Sequence, residues 1–141
     1  MDKDYLKNIG LLFLRVAISI LMITHGVPKL EMLLSGNAQQ FPDPLGISPV
    51  LSLILVTGAE FFCSLILILG FKSRIFALPL IFDMLIAAFV AHSGSGFQDK
   101  EPAILYLTVY ISIALLGEGK FSLDGFIEKQ MEKKEGGNIN S

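Results

Sequence analysis

Apolar positions in this chain come in long unbroken runs, not in alternation. From Ile9 to Leu30 the ionisable residues are Arg15, His25 and Lys29. Pro49 to Gly70 contains Glu60 alone, Ile75 to His92 contains Asp83 before its terminal histidine, and Pro102 to Gly117 contains none. A helix crossing a hydrocarbon core of about 30 Å needs about 20 residues, with about 17 as the lower limit. The first three runs meet that length. The fourth is short and has to extend toward Phe121 or sit where the bilayer is thin. Without sustained period-two patterning, strands are not expected. Gly36, Asn37, Pro42, Asp43, Pro44 and Gly46 mark the first connection, Gly70, Lys72 and Ser73 a tight second, and Gly94, Ser95 and Gly96 a third.

The pattern therefore predicts an all-α fold: a four-transmembrane-helix antiparallel bundle with spans over about 9–30, 49–70, 75–92 and 102–117. Lysine and arginine set its expected orientation. Lys3, Lys7, Lys72, Arg74, Lys120, Lys129, Lys133 and Lys134 flank one side, against Lys29 and Lys100 on the other. That bias predicts both termini in the cytoplasm. The balanced charges Asp2, Lys3, Asp4 and Lys7, with no small-x-small site after the apolar run, argue against a cleaved signal peptide.

Composition narrows the function classes. Hydrophobic residues make up 52% of the 141 positions and charged residues 17%, against about 25% charged in a soluble domain. A basic nucleic-acid binder, a coiled coil and a disordered chain are all excluded on that ground. One cysteine forms no internal disulfide or Cys-based zinc site, and two histidines leave little for a metal cluster, so no metal site is expected. Cys63 reads as a small packing residue.

Arg15, Glu60 and Asp83 are charges inside three different runs, where each costs about 2.5 to 3.5 kcal/mol on insertion. Such residues turn inward and pair, which predicts a buried Arg15–Glu60–Asp83 cluster. Arg15, Ser19, Met22, Gly26 and Lys29 fall in one helical sector, Glu60 shares a face with Thr57, Cys63 and Ser64, and Asp83 lies beside Pro79 and Ala87. The cluster serves either as a staple between helices or as a ligand or proton site. His25, Lys29, His92 and Glu101 lie at the predicted outer ends and define a candidate outer-side pocket. Tyr106 and Tyr110, four apart, share a face; they suit helix packing or ring contact with a quinone. After Gly117, Ser122 is placed to cap a helix, with Leu123, Phe126, Ile127 and Met131 on the membrane interface and lysines toward headgroups. Residues 125–141 form an amphipathic tail, expected to be disordered from Gly136 onward.

Several motifs give the chain a resemblance to the DoxX family of small bacterial membrane proteins. They are the Arg15 of Leu-Phe-Leu-Arg-Val-Ala, His25-Gly-Val-Pro-Lys-Leu30, Gly58-Ala-Glu60, Leu69-Gly-Phe-Lys-Ser-Arg74 and Gly117-Glu-Gly-Lys-Phe-Ser-Leu-Asp124. The likeness spans about Leu11 to Asp124, so residues 1–124 read as the membrane domain. It implies a multi-pass protein of the bacterial inner (plasma) membrane. It further implies a non-redox-centre membrane subunit of a quinone-linked oxidoreductase or oxidative-stress complex: no intrinsic cofactor, quinone as ligand, and soluble or membrane oxidoreductase subunits as partners in the lipid bilayer. Four spans enclose little volume, so a homo-oligomer is also expected. The residues leave two other readings open, a proton-coupled small-molecule carrier using Glu60 and Asp83, and a non-catalytic membrane scaffold or assembly factor.

Overall fold

The computed structural model describes residues 1–138. Every regular element among them is helical: α1 (Lys3–Leu34), a short 3₁₀ turn (Ala38–Gln40), α2 (Pro49–Leu69), α3 (Ser73–Ala91), α4 (Phe97–Leu116) and α5 (Leu123–Asn138). Three helices, α1, α2 and α3, are long and apolar enough to cross a membrane. The fourth, α4, carries Asp99, Lys100 and Glu101 near its start and is apolar only from Pro102.

Helix α1 overruns the predicted 9–30 at both ends. Asp2 caps it, its side chain accepting the Asp4 N–H at 3.4 Å, and its 32 residues measure about 48 Å. That is well beyond a hydrocarbon core, so the first turns project past it or the helix tilts. Pro49 starts α2 at a position where its missing N–H costs nothing. Gly70, with φ 73°, ends α2 and leads into the turn to α3, which includes Lys72 at φ 43°. Two stretches widen to π geometry, Gly58–Cys63 in α2 and Ala87–Ala91 at the end of α3. Such widened turns frequently accompany functional sites. Glu60 lies within the first of them.

Burial confirms the inward stripe read from α1: Asn8, Leu11, Arg15, Ser19, Met22 and Gly26 are its buried residues. The core joins Met22, Ala59, Leu67, Leu80, Met84 and Tyr110 across four helices. Outward-facing apolar side chains remain uncovered, with Phe13 73% exposed, Phe82 59% and Leu115 73%. Lipid, not water, is the solvent that suits such a surface.

The tail departs from expectation. Ser122 does cap α5, accepting the Gly125 N–H at 3.0 Å. The helix then runs through Gly136 and Gly137 to Asn138, so the disorder expected from Gly136 is corrected for residues 136–138. Glycine is a poor helix former, but it does not stop a helix already propagating. Residues 139–141 of that expectation lie outside the described residues.

Close packing of α1 on α2 depends on Gly26. A Cβ there would stand 2.9 Å from the Phe61 amide nitrogen and 3.0 Å from the Glu60 carbonyl carbon, both backbone atoms that cannot swing away. A Cβ at Gly10 would meet nothing within 4 Å. Gly26→Ala is therefore expected to destabilise the protein by about 1–3 kcal/mol and Gly10→Ala to leave it nearly unchanged. Thermal unfolding in mild detergent compares the two.

Candidate functional site

The charged residues inside the helices separate into two groups at opposite ends of the bundle. Helix register decides the division. Gly26 of α1 lies against Glu60 and Phe61 of α2, whereas Gly70 at the end of α2 lies against Arg15, 2.9 Å from a Cβ placed at Gly70 to the guanidinium carbon. The antiparallel pairing thus brings Lys29, one turn beyond Gly26, to Glu60. Lys29 Nζ sits 2.5 Å from Glu60 Oε2 and 3.2 Å from the His25 carbonyl oxygen. Lys29 and Arg15 are about 21 Å apart along α1 at about 1.5 Å per residue.

Asp83 of α3 joins this pair. Its carboxyl stands beside that of Glu60 and within electrostatic reach of Lys29. Both acids are buried, Glu60 6% and Asp83 8% exposed. Asp83 Oδ2 has no hydrogen-bond partner among the described residues. The site therefore sets two carboxyls against one ammonium. Buried hydroxyls lie near it: Thr57 and Ser64 on the same face of α2 as Glu60, and Tyr110, which faces Ser64. The predicted trio is thus corrected. Glu60 and Asp83 do meet, and the cation with them is Lys29.

Arg15 is 2% exposed and does something different. Its guanidinium donates to the backbone carbonyls of Glu118 and, at 2.8 Å, of Phe121. Those carbonyls are presented by a loop that folds back over the bundle through Gly117 and Gly119, with φ of 82° and 75°. The loop is tied elsewhere too. Asn8 Oδ1 accepts the Lys120 N–H at 2.7 Å, and Ser122 Oγ donates to the Gly119 carbonyl at 2.6 Å. Asp124 Oδ2 accepts the Lys72 N–H at 2.7 Å, and the Asp124 N–H donates to the Gly70 carbonyl. Arg15 holds a latch that pins the start of α5 to the α2–α3 turn.

The predicted outer pocket of His25, Lys29, His92 and Glu101 is not assembled as such. His25 packs its ring edge-on against Tyr106, centroids 5.8 Å apart. His92 Nδ1 lies 2.6 Å from the Ala87 carbonyl and so caps its own π turn. Glu101 is exposed in the first turns of α4. Only Lys29 reaches the polar site, because it alone lies on the inward stripe of its helix. Tyr106 and Tyr110 stack at 6.2 Å with an interplanar angle of 21°, forming with His25 an aromatic row beside Glu60.

On the other side of Asp83, between α2 and α3, lies a cavity of about 140 Å³. Leu55, Val56, Ala59, Pro79 and Phe82 are among the residues lining it, and Pro44 and Leu45 of the first connection close one end. Ser52 also lines it, but its hydroxyl is occupied, donating to Asp43 Oδ1 at 2.7 Å. The signal that could have found this place was the Asp83–Pro79 pairing on one face of α3.

Comparisons with known proteins agree with this architecture. The DoxX family profile matches residues 10–93. The chain is 30% identical to the inner membrane protein YqjF of Escherichia coli (strain K12) over 131 residues, which cover 89% of this chain and 97% of that protein. No solved structure matches.

The two charged groups should respond differently to substitution. Lys29→Met leaves buried carboxyls uncompensated and is expected to cost about 3–5 kcal/mol, with much of the loss recovered in the Lys29→Met/Glu60→Gln double variant. Denaturation in detergent, run as a double-mutant cycle, measures the coupling. Arg15→Leu should leave that coupling intact and instead raise hydrogen exchange across residues 117–125.

Proposed function

This chain belongs to the DoxX family of integral membrane proteins, and from that premise we propose that it acts as a membrane subunit of a quinone-linked oxidoreductase or oxidative-stress complex, without a redox centre of its own. In this reading all four long helices α1 to α4 cross the inner membrane as an antiparallel bundle, with both termini in the cytoplasm. The basic residues support that orientation. Lys72, Arg74 and Lys120 gather with the latch at the Arg15 end: the Lys72 N–H binds Asp124, Arg74 lies against Gly117, and the Lys120 N–H binds Asn8. A clustered positive end belongs on the cytoplasmic side.

The observation that carries the functional reading is the buried Lys29–Glu60–Asp83 site inside an otherwise apolar bundle. Ionisable groups in such a place are costly and usually functional. Beside the site lies an apolar cavity of one-ring size, lined in part by Asp83, which supports a quinone ring as the ligand. A bound quinone would supply the two-electron chemistry. This chain's residues would hold and orient its ring, keep water from it, and leave electron transfer to a partner subunit. Partner subunits would dock outside the bundle.

A second reading, a proton-coupled carrier of a small molecule, is favoured by one feature: two carboxyls facing one ammonium. Transport in proteoliposomes that is abolished by Glu60→Gln would select it.

Two outcomes follow for the leading reading. Purification in mild detergent should recover quinone and an oxidoreductase subunit with the wild-type chain. Asp83→Asn, in the wall of the cavity, should lose the quinone while the chain stays abundant in the membrane; recovery of neither quinone nor subunit with the wild type would overturn the reading. Cysteines placed at Lys7 and Ser141 in a Cys63→Ser background should be shielded from impermeant reagents in intact spheroplasts, and a cysteine at Gly94 should be labelled.

A further inference from the structure

Every residue of α5 from Phe126 to Gly137 is exposed. Isolated helices of about 12–15 residues are marginal in water, and the 16 residues of α5 include three glycines, so a helix here needs a surface to lie on. Its charges are sorted for one. At about 100° per residue, Leu123, Phe126, Ile127 and Met131 share an arc of about 140°, and Asp124, Glu128, Glu132 and Glu135 all fall outside it. Lys133 borders the arc on the side away from the acids. Lys134 lies within the arc near the helix end, where its long stem lets the ammonium reach past an apolar layer.

The place of α5 in the fold identifies that surface. Its first turn is tied to the turn between α2 and α3: Asp124 Oδ2 accepts the Lys72 N–H at 2.7 Å, and the Asp124 N–H donates to the Gly70 carbonyl at 3.3 Å. Leu69 and Ile75, on either side of that turn, are 60% and 57% exposed on the lipid-facing surface, and Leu115 at the end of α4 is 73% exposed. Lys72, Arg74 and Lys120 follow directly. The start of α5 therefore stands where acyl chains give way to headgroups. Tyr5, a residue type that collects at that border, meets Phe121 edge-on at the same level, ring centroids 5.7 Å apart. Glu128, Lys129 and Glu132 instead line a groove toward the first turns of α1, and Phe126 belongs to both the groove wall and the apolar arc.

We propose that α5 is a membrane-surface helix. It lies on the leaflet at the Arg15 end of the bundle, with Leu123, Phe126, Ile127 and Met131 sunk at the acyl boundary and Lys133 and Lys134 at anionic headgroups. The proposal rests on the bundle spanning the membrane and is independent of the quinone-linked reading.

The chain contains no tryptophan, so one introduced indole reports alone. The full chain carrying Ile127→Trp, Met131→Trp or Glu132→Trp is placed in phosphatidylcholine nanodiscs with or without phosphatidylglycerol. Fluorescence quenching is read from lipid brominated near the top of its acyl chains and from iodide in the buffer. All three side chains are exposed, so none supports the bundle. With phosphatidylglycerol present, Ile127→Trp and Met131→Trp should be quenched by bromine, emit further to the blue and escape iodide. Glu132→Trp should do the reverse. Omitting phosphatidylglycerol, or adding Lys133→Gln and Lys134→Gln, should weaken the bromine quenching and restore the iodide quenching at Ile127→Trp. Iodide quenching of all three variants in the anionic nanodiscs would overturn the proposal and leave the apolar arc to a protein partner. Bromine quenching of all three would overturn the one-sided seating, and quenching indifferent to phosphatidylglycerol and to both lysines would overturn the anionic-headgroup contact.

Discussion

A charge carried into an apolar bundle must find its partner on a neighbouring helix, and the register between helices decides which partner it finds. In this protein the register is set by Gly26. Because nothing projects from it, the α1 backbone lies directly on the Glu60–Phe61 peptide of α2. That contact places Lys29 at Glu60 and leaves Arg15 at the opposite end, facing Gly70. The Lys29–Glu60 ion pair follows from this close approach.

The arrangement also explains why the family motifs occur together. His25-Gly-Val-Pro-Lys-Leu30 and Gly58-Ala-Glu60 are far apart in sequence but form one contact, with glycine giving the proximity and lysine and glutamate the charges. Arg15, Leu69-Gly-Phe-Lys-Ser-Arg74 and Gly117-Glu-Gly-Lys-Phe-Ser-Leu-Asp124 form a second. Arg15 and the Lys72 N–H are the donors, and the carbonyls of Glu118 and Phe121 and the carboxylate of Asp124 are the acceptors. One end of the bundle is thus a structural closure and the other a polar site. Removing a residue from the closure should loosen the molecule. Removing one from the site should change what it binds.

Much of this was legible from sequence, and the exceptions have physical causes. Apolar runs of 18 residues or more identify α1 to α3, and of the helical sector Arg15, Ser19, Met22, Gly26 and Lys29 the first four are buried in α1, with Lys29 half-buried at its end. Glu60 and Asp83 also meet as expected. Arg15 lies apart from the expected trio because α1 starts at Lys3 and carries Lys29, the residue that meets Glu60, about 21 Å further along the helix. Its true partners are backbone carbonyls, which every residue possesses and no sequence pattern marks. The glycines at 117 and 119 were the available hint, since left-handed turns let a chain fold back. The π turn around Glu60 breaks the 3.6-residue period locally, so periodicity could not place the carboxylate's depth.

The central claim is therefore one of pairing: Lys29, not Arg15, meets Glu60 in the membrane. Cross-linking in native membranes tests it most directly, using a short thiol-reactive bridging reagent on Lys29→Cys/Glu60→Cys and on Arg15→Cys/Glu60→Cys in a Cys63→Ser background. The structure predicts efficient bridging of the first pair and none of the second. Bridging of Arg15→Cys to Glu60→Cys without the other would contradict it.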